Sequence, residues 1–474
     1  MTSTYAGKPA KLVEHWTGNA LQGSVDERMA AGKELRKATP RAAHAQLAQS
    51  DARSRDVVAV LREQARSRLA PLIPVRHARM LTSPFAFLRG AAGIMAADLA
   101  GTPRTGLLVQ ACGDMHMANF GLYASAERNL VFGINDFDET HPGAWEWDLK
   151  RLVASAVVAQ RHVGASRKQQ RQAAHAAVTA YRDGMRQYAR LGNLAVWYTR
   201  IDDAALLERL SPEVRARAKQ VIAKARTHGH LQVLDKMTEL VDNRQRILEQ
   251  RPLIVRASHT SKGRPIADAM VRFLEAYLAT LGPERSVLLK RYRVVDVAQK
   301  VVGVGSVGTR CWVLFLLGST ADDPLFLQVK EVQPSVLAPY FDGSKVPPNQ
   351  GLRVVIGQRL TQGSPDIFLG WGELDGVHFY VRQLRDMKGG AEFEPGVTQP
   401  AHLIEYAGLC GWALALAHAK SGDAATIAGY IGKSDELADA LVQFAEGYAD
   451  LTQRDHSTMQ QAAREGKLPV ATAA

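Results

Sequence analysis

Apolar and polar positions fall into distinct regimes along the chain. Up to about residue 287, outside one central stretch, apolar residues recur three and four apart, the period of helices with one buried face. Residues 51–70 predict an amphipathic helix with Asp51 as N-cap. Val57, Val58, Val60 and Leu61 face inward, and Pro71 and Pro74 end it. A small-residue-rich helix is predicted from Pro84 to Gly101. Long helices are predicted over 144–163 and 166–191, two or three more from about 203 to 248, and another over about 265–281. No fixed-period repeat is present. At about 288 the pattern changes. RYRVVDVAQKVVGVGSVGTRCWVLFLLGS reads strand, glycine turn, strand, and LFLQVKEV reads as a third strand. A short helix at 349–362, two strands (DIFLGWGEL and VHFYVRQL) and a hinge-like RDMKGG follow. Helices return over 401–420 and about 434–462. Residues 1–24 are polar and expected to be mobile, and 25–50 are charged, Ala-rich and interrupted by Pro40.

The stretch 111–148 interrupts the helical pattern. LLVQACG is a short apolar run ending at Asp114, and Asn119 follows five positions later. NLVFGIN is a second strand-like run ending in Asp136-Phe137-Asp138, so a hairpin is expected over roughly 119–135. Carboxylates and an amide at the ends of neighbouring strands suit a metal–phosphate. Mg²⁺ prefers hard oxygen ligands and keeps several waters, so one or two Asp plus an Asn suffice. The plain alternative is a turn, since Asp-Phe-Asp is common in turns and an Asp-x₄-Asn spacing arises by chance.

Gly303, Gly305 and Gly308 fit Gly-x-Gly-x-x-Gly. A dinucleotide fingerprint requires a helix after it, and CWVLFLLG reads as a strand instead. Strand, glycines, strand is the kinase form, a flap whose backbone amides cover phosphates. Lys330 lies in the next apolar strand, where an unpaired ammonium is costly. The bland reading is an edge-strand lysine kept for solubility. The helix at 349–362 offers Gln358 where a kinase supplies a Glu to its lysine, and Glu331 sits beside Lys330. Arg76, Arg79 and Arg89 lie in apolar context. They read either as ion pairs at a helix interface or as a group of which one approaches the phosphates.

Length and composition set the scale. The 474 residues suit about two or three domains or one large two-lobed domain, and 46% hydrophobic residues can bury a full core. Cys112, Cys311 and Cys410 are odd in number and far apart, which argues for a reducing compartment rather than a disulfide framework. With 59 basic and 47 acidic residues the net charge is +12, and the pI is about 9.6. That balance favours anionic partners such as nucleotides, phosphates, nucleic acid or a membrane surface, or reflects a generally basic, Arg-rich proteome. No specific nucleic-acid partner is implied. The N-terminus has no apolar core of a signal peptide, and no run approaches a membrane span, so a soluble, cytoplasmic protein is expected.

Protein kinases carry an Asp that takes the substrate proton, an Asn five residues later on Mg²⁺, and a second Asp beyond the next hairpin. Asp114, Asn119 and Asp136 fall in that order. Gly113-Asp114-x-His116, then Asp136-Phe137-Asp138 and Asp148-Leu149, resembles the aminoglycoside and choline kinase branch, with Cys112 where many members have His. The segments SPFAFLRGAA, GDMHMANFG, NDFDE, EWDLKRL, KVVGVGSVGTR, LFLQVKE and YVRQLRDMKG together resemble the bacterial family called domain of unknown function 2252, from about residue 25 to 460.

The resemblance implies an α+β, bilobal, protein-kinase-like fold in circularly permuted order. A helical N-terminal region would cover 25–110. Catalytic loop, metal loop and large-lobe helices would cover 111–287. A small antiparallel β lobe would span 288–385, and a hinge with the remaining helices 386–474. ATP–Mg²⁺-dependent phosphoryl transfer to a hydroxyl of a small molecule or protein is the implied activity. Asp114 would orient or deprotonate the acceptor. Asn119 and Asp136 would hold Mg²⁺, with Asp138 as a further ligand. Gly303, Gly305, Ser306, Gly308 and Lys330 would hold the nucleotide, Asp148 would brace the catalytic loop, and His116 reads as a loop brace rather than a ligand. A nucleotide-binding regulator without turnover and an AMP-transferring enzyme are the alternatives. A metallophosphoesterase would need a later Gly-Asp-x-x-Asp and Gly-Asn-His, which the chain lacks. The permuted order carries its own test. Lys330 should face Asp136, and the chain near 420 should pass beside the chain near 110.

Overall fold

The computed structural model describes residues 21, 23–47, 56–227, 230–242, 244–256, 258–259, 263–341, 346–384 and 387–471. Most of the expected mobile segment 1–24, the N-cap Asp51, and Arg385 and Asp386 of the hinge-like stretch lie outside them. The chain is a mixed α+β protein with several antiparallel sheets.

The long amphipathic segments become the helices Trp145–His162, Arg167–Tyr188, Pro400–Ser421 and Glu436–Arg464. Their apolar faces form the largest hydrophobic cluster, around Leu152, Val157, Tyr181, Leu414 and Phe444. Packing is closest where Gly411 meets Arg167–Tyr188, since a Cβ there would fall 2.0 Å from the Ala177 carbonyl oxygen. The N-terminal helix Val25–Glu34 begins with a Ser24–Glu27 capping box and docks on the helix Ala424–Ile431. Arg36 donates to the Tyr430 carbonyl, and Arg28 pairs with Asp423 at 2.7 Å.

Several predicted boundaries move. The helix expected over 51–70 spans Val57–Ala65, capped by Asp56, whose carboxylate accepts the Val58 and Ala59 amides. Pro74 does not simply end it. It opens a new helix, Ile73–Leu81, because the first turn tolerates a residue without an N–H. The segment from Pro84 breaks at Ala91 into Pro84–Gly90 and Ala92–Ala100. The helices Asp203–Glu208, Pro212–Thr227 and His230–Met237 are followed by an unexpected hairpin, Thr238–Val241 with Arg244–Ile247.

The largest sheet has six antiparallel strands in the order Gly370–Leu374, Val377–Gln383, Pro324–Glu331, Cys311–Leu317, Arg293–Lys300, Ile254–Arg256. Alternation assigns its two faces. Trp312, Leu314, Leu316, Leu325 and Leu327 pack under the helix Ile266–Leu278 through Phe273 and Tyr277. Val313, Phe315 and Phe326 pack on the other side with Val233 and Met237. Both faces are covered, so Cys311–Leu317 is buried throughout and reads as a continuous apolar run. The sheet also takes in residues before 288, namely the edge strand Ile254–Arg256 and the helix over it. The helix Gln350–Thr361 lies between this sheet and the helical core. No helix among the described residues is long and apolar enough to cross a membrane.

Candidate functional site

The strand Leu108–Ala111 pairs with His141–Ala144, and the chain leaving it turns at Gly113 with φ +78°. A Cβ there would lie 2.4 Å from the Glu139 carbonyl oxygen, so the turn takes glycine only. Asp148, in the first turn of Trp145–His162, accepts the Cys112 and Gly113 amides at 2.6 and 2.9 Å. Nε2 of His418 stands 3.3 Å from the same carboxylate, and the Tyr181 hydroxyl 2.8 Å from His418 Nδ1. These buried contacts fix the loop that carries Asp114. The same region joins distant parts of the chain, since the Gln110 amide donates to the Ser421 hydroxyl at 3.1 Å.

Asp114 is held by Arg151, whose Nε donates to Oδ1 at 2.8 Å and whose Nη2 binds the same oxygen. Burial raises the Asp114 carboxyl, and Arg151 only partly offsets it. Asn119 Nδ2 donates to the Asp114 backbone carbonyl at 2.6 Å. Asn119 leads into the hairpin Phe120–Ala124 with Leu130–Ile134, whose second strand delivers Asp136 and Asp138. His116 is buried. Its Nε2 lies 3.8 Å from Asp114 Oδ2, and its Nδ1 is buried with no hydrogen-bond partner among the described residues. Burial first, then Arg89 and Arg151, push its pKa far down, which leaves a neutral imidazole.

Lys330 meets these carboxylates. Its Nζ is 2.5 Å from Asp138 Oδ2 and 3.8 Å from Asp136 Oδ1. Its strand, Pro324–Glu331, is interior to the sheet and Lys330 is buried, so the edge-lysine reading is overturned. Burial alone would favour the neutral amine, but the two carboxylates outweigh it and keep the ammonium. Burial also raises Asp136, yet Lys330 and Arg382 together hold it below its ordinary value. Asp138 goes the other way, raised by burial and by the Asp136 charge despite Lys330. Glu331, the neighbour offered by sequence, pairs with Arg310 instead, and Gln358 donates to Gln362. From the helix Gln350–Thr361 it is Arg353 that reaches the loop of Asp136 and Asp138, donating to the Asp138 carbonyl at 2.8 Å and to the Thr140 carbonyl.

The glycine turn faces the same place. A cavity of about 260 Å³ is lined by Asp114, Asn119, Asp136 and Asp138 on one side and by Gly303, Gly305 and Ser306 on another. A Cβ on Gly305 would sit 3.1 Å from the Arg89 carbonyl and 4.0 Å from Asp114 Oδ2. Gly308 is not brought into the cavity. It packs on Arg68, and its carbonyl accepts the Leu69 amide at 2.8 Å. Arg79 donates to the Gly303 carbonyl at 2.5 Å and Arg68 to the Val307 carbonyl at 2.6 Å, so the helical segment before residue 100 pins the turn. None of Arg68, Arg76, Arg79 and Arg89 has a carboxylate in ion-pair range among the described residues, which overturns the interface-ion-pair reading. Beyond Asn135 a smaller cavity of about 110 Å³ is lined by Arg382 and Lys388. Arg382 first, and burial second, push Lys388 down to about 7.

The family described as "Uncharacterized protein conserved in bacteria (DUF2252)" matches residues 68–462. This chain belongs to that family. No curated protein and no solved structure matches it. The DUF2252 match spans the loop of Asp114, Asp136 and Asp138, the glycine turn, Lys330 and the arginines at 68–89.

Sequence reasoning missed Arg151, His418 and Arg353. Arg151 had a signal, since it lies three residues after Asp148 on one helix and so near the same face. His418 and Arg353 had none, because only tertiary packing brings them in. No three His, Cys, Asp or Glu side chains converge as a metal site among the described residues. The oxygen set here is two carboxylates and the Asn119 amide, and Asp138 Oδ1 is buried with no hydrogen-bond partner. That donor set fits Mg²⁺, which is commonly held by one or two carboxylates with water and phosphate supplying the rest.

Proposed function

We propose that this DUF2252 protein is an ATP–Mg²⁺-dependent phosphotransferase acting on a hydroxyl group, built on a bilobal, circularly permuted protein-kinase-like plan. The observation that carries the reading is the meeting of Lys330 with Asp138 and Asp136 beside Gly303–Ser306 and Asp114. Sequence places these segments far apart, and a kinase needs all of them around one nucleotide. The Gln110–Ser421 contact supports the permuted order, because an unpermuted kinase joins those two points directly.

In this reading Asp136, Asp138 and the Asn119 amide hold Mg²⁺, which when bound neutralises charge on the phosphates. Lys330 contacts the α- and β-phosphates, and the amides of Gly303–Ser306 cover them. Asp114 orients the acceptor hydroxyl and takes its proton as the oxygen bonds to the γ-phosphorus and ADP leaves. Arg151 occupies Asp114 Oδ1, so Oδ2 is the oxygen left for that proton. Burial, which raises this carboxyl, improves it as a base.

One observation favours a second reading, a nucleotide-binding regulator without turnover. Lys330 is engaged by Asp138, and the helix that would carry a kinase Glu presents Gln358 and Arg353. Incubation with ATP labelled at the γ- or the α-phosphate, over a panel of hydroxylated small molecules and proteins, separates the cases. Transfer of the γ-label supports the phosphotransferase. Transfer of the α-label means AMP transfer, and binding without either transfer means a regulator.

A further inference from the structure

The cleft carries more cations than its carboxylates use. Asp114 is taken by Arg151, Asp136 and Asp138 by Lys330, and Glu331 by Arg310, while Glu139 accepts the Val336 amide at 2.7 Å and is raised by burial to about 7. Three guanidinium groups without an ion-pair carboxylate also line the 260 Å³ cavity, those of Arg68, Arg76 and Arg89. Arg68 donates to the Val307 carbonyl at 2.6 Å and has Glu139 as its strongest opposing charge, which leaves Arg76 and Arg89. Arg76 is only 1% exposed. It donates to the Gly90 carbonyl at 2.9 Å and to Gln64 at 3.1 Å, while its Nε and Nη1 have no partner. Arg89 Nε is also buried without a partner. Burial, with Arg68 close by, depresses Arg76 to about 9, which still leaves it charged near neutrality. A buried guanidinium with open donors and no counter-ion costs free energy, and an oxyanion is the ligand that removes that cost.

We infer that Arg76 and Arg89 form an oxyanion subsite beside Asp114, taking a phosphate-class group. The fork of a guanidinium matches a tetrahedral oxyanion, and Gly305 keeps the wall open, since any side chain there would crowd the Arg89 carbonyl. The anion has two sources, the terminal phosphate of the nucleotide or an anionic group on the acceptor. The subsite deepens the phosphotransferase reading, but its first test does not require ATP.

The full chain is titrated with sodium sulfate by calorimetry, without nucleotide, as wild type, Arg89→Gln, Arg76→Gln and the double variant, with folding checked by circular dichroism. Saturable sulfate binding is expected, weakened about tenfold by each single change, the loss of one charge-assisted hydrogen bond. Wild-type sulfate binding is then repeated over saturating Mg·ADP and Mg·ATP. Sulfate admitted by Mg·ADP and excluded by Mg·ATP assigns the subsite to the terminal phosphate. Sulfate admitted by both assigns it to the acceptor. Arginine-dependent sulfate binding in a protein that ignores ATP keeps the subsite and ends the ATP reading. No saturable sulfate binding, or equal affinity in wild type and folded Arg89→Gln, overturns the proposal. Arg89→Gln decides should Arg76→Gln not fold.

Discussion

Lys330 and Asp138 form a close ion pair, 2.5 Å from Nζ to Oδ2, between a strand of the six-stranded sheet and the loop after Leu130–Ile134. Asp136 is the looser partner at 3.8 Å and is the more exposed of the two carboxylates. The pair therefore couples the sheet to the loop, and its two carboxylates do different work. Asp138 makes the close contact with the buried ammonium, while Asp136, held more loosely, is the freer of the two to turn to the cavity that both line.

Removing the ammonium should expose that division. Lys330→Met leaves two neighbouring carboxylates without their cation, which should cost on the order of 1–3 kcal/mol near neutral pH, discounted for the solvent reaching Asp136. Asp138 is already raised, and the variant should raise it further. A carboxyl held above its unfolded value binds its proton more tightly in the folded chain, so stability should recover as pH falls from neutrality towards the ordinary carboxyl value of about 4. Urea denaturation at both ends of that window measures it. A loss that is independent of pH would mean that the carboxylates do not feel Lys330.

Asp136→Ala should abolish Mg²⁺-dependent nucleotide binding with the helices still folded. Among the described residues its carboxylate accepts one long hydrogen bond, 3.4 Å from the Asp138 amide, besides the 3.8 Å contact with Lys330. Calorimetry of Mg·ATP binding, beside circular dichroism, gives the answer. Affinity equal to wild type would remove Asp136 from the metal role.

Asp114→Asn should keep Mg·ATP binding and lose transfer by about 10²–10⁴-fold, the usual contribution of a positioned base. Asn can still accept from Arg151, so the loop should hold its shape. Wild-type turnover in this variant would make Asp114 structural.

What was legible in the sequence follows from how local each signal is. The spacing Asp114, Asn119, Asp136 and the strand–glycine–strand pattern at 293–317 depend on neighbours in sequence, and the structure brings all of the nominated groups but Gly308 and Lys330 to the lining of one cavity, with Lys330 behind it on Asp138 and Asp136. Gly308 fits the glycine motif, but its positive φ of +95° serves the turn and its contact with Arg68 rather than the cavity. The partner of Lys330 was not legible, because Asp138 reaches it only through sheet and loop packing. The hairpin Thr238–Val241 with Arg244–Ile247 was hidden for a different reason. Its residues are mostly polar and half-exposed, so no alternation marks them. The arginines at 76 and 89 stood out as charges in apolar context, but only the packing shows that neither has a carboxylate in ion-pair range among the described residues.

Lys150 offers a test of the helical core that is independent of any ligand. It is fully buried in Trp145–His162, its ammonium has no hydrogen-bond partner, and it lies 5.1 Å from the centre of the Phe444 ring. Burial depresses it to about 8, with Glu146 opposing. At this position the folded chain therefore binds its proton less tightly than the unfolded chain between about pH 8 and the ordinary lysine value near 10.4, so the contribution of Lys150 to wild-type stability should rise with pH through that window. Lys150→Met fills nearly the same volume without the charge. It should be about 1–3 kcal/mol more stable than wild type near neutral pH, where burying the ammonium costs most. The gain should shrink towards pH 10. Chemical denaturation of both proteins across that range decides it. A variant less stable than wild type near neutral pH would show that the Phe444 contact and Glu146 more than offset the desolvation of the ammonium.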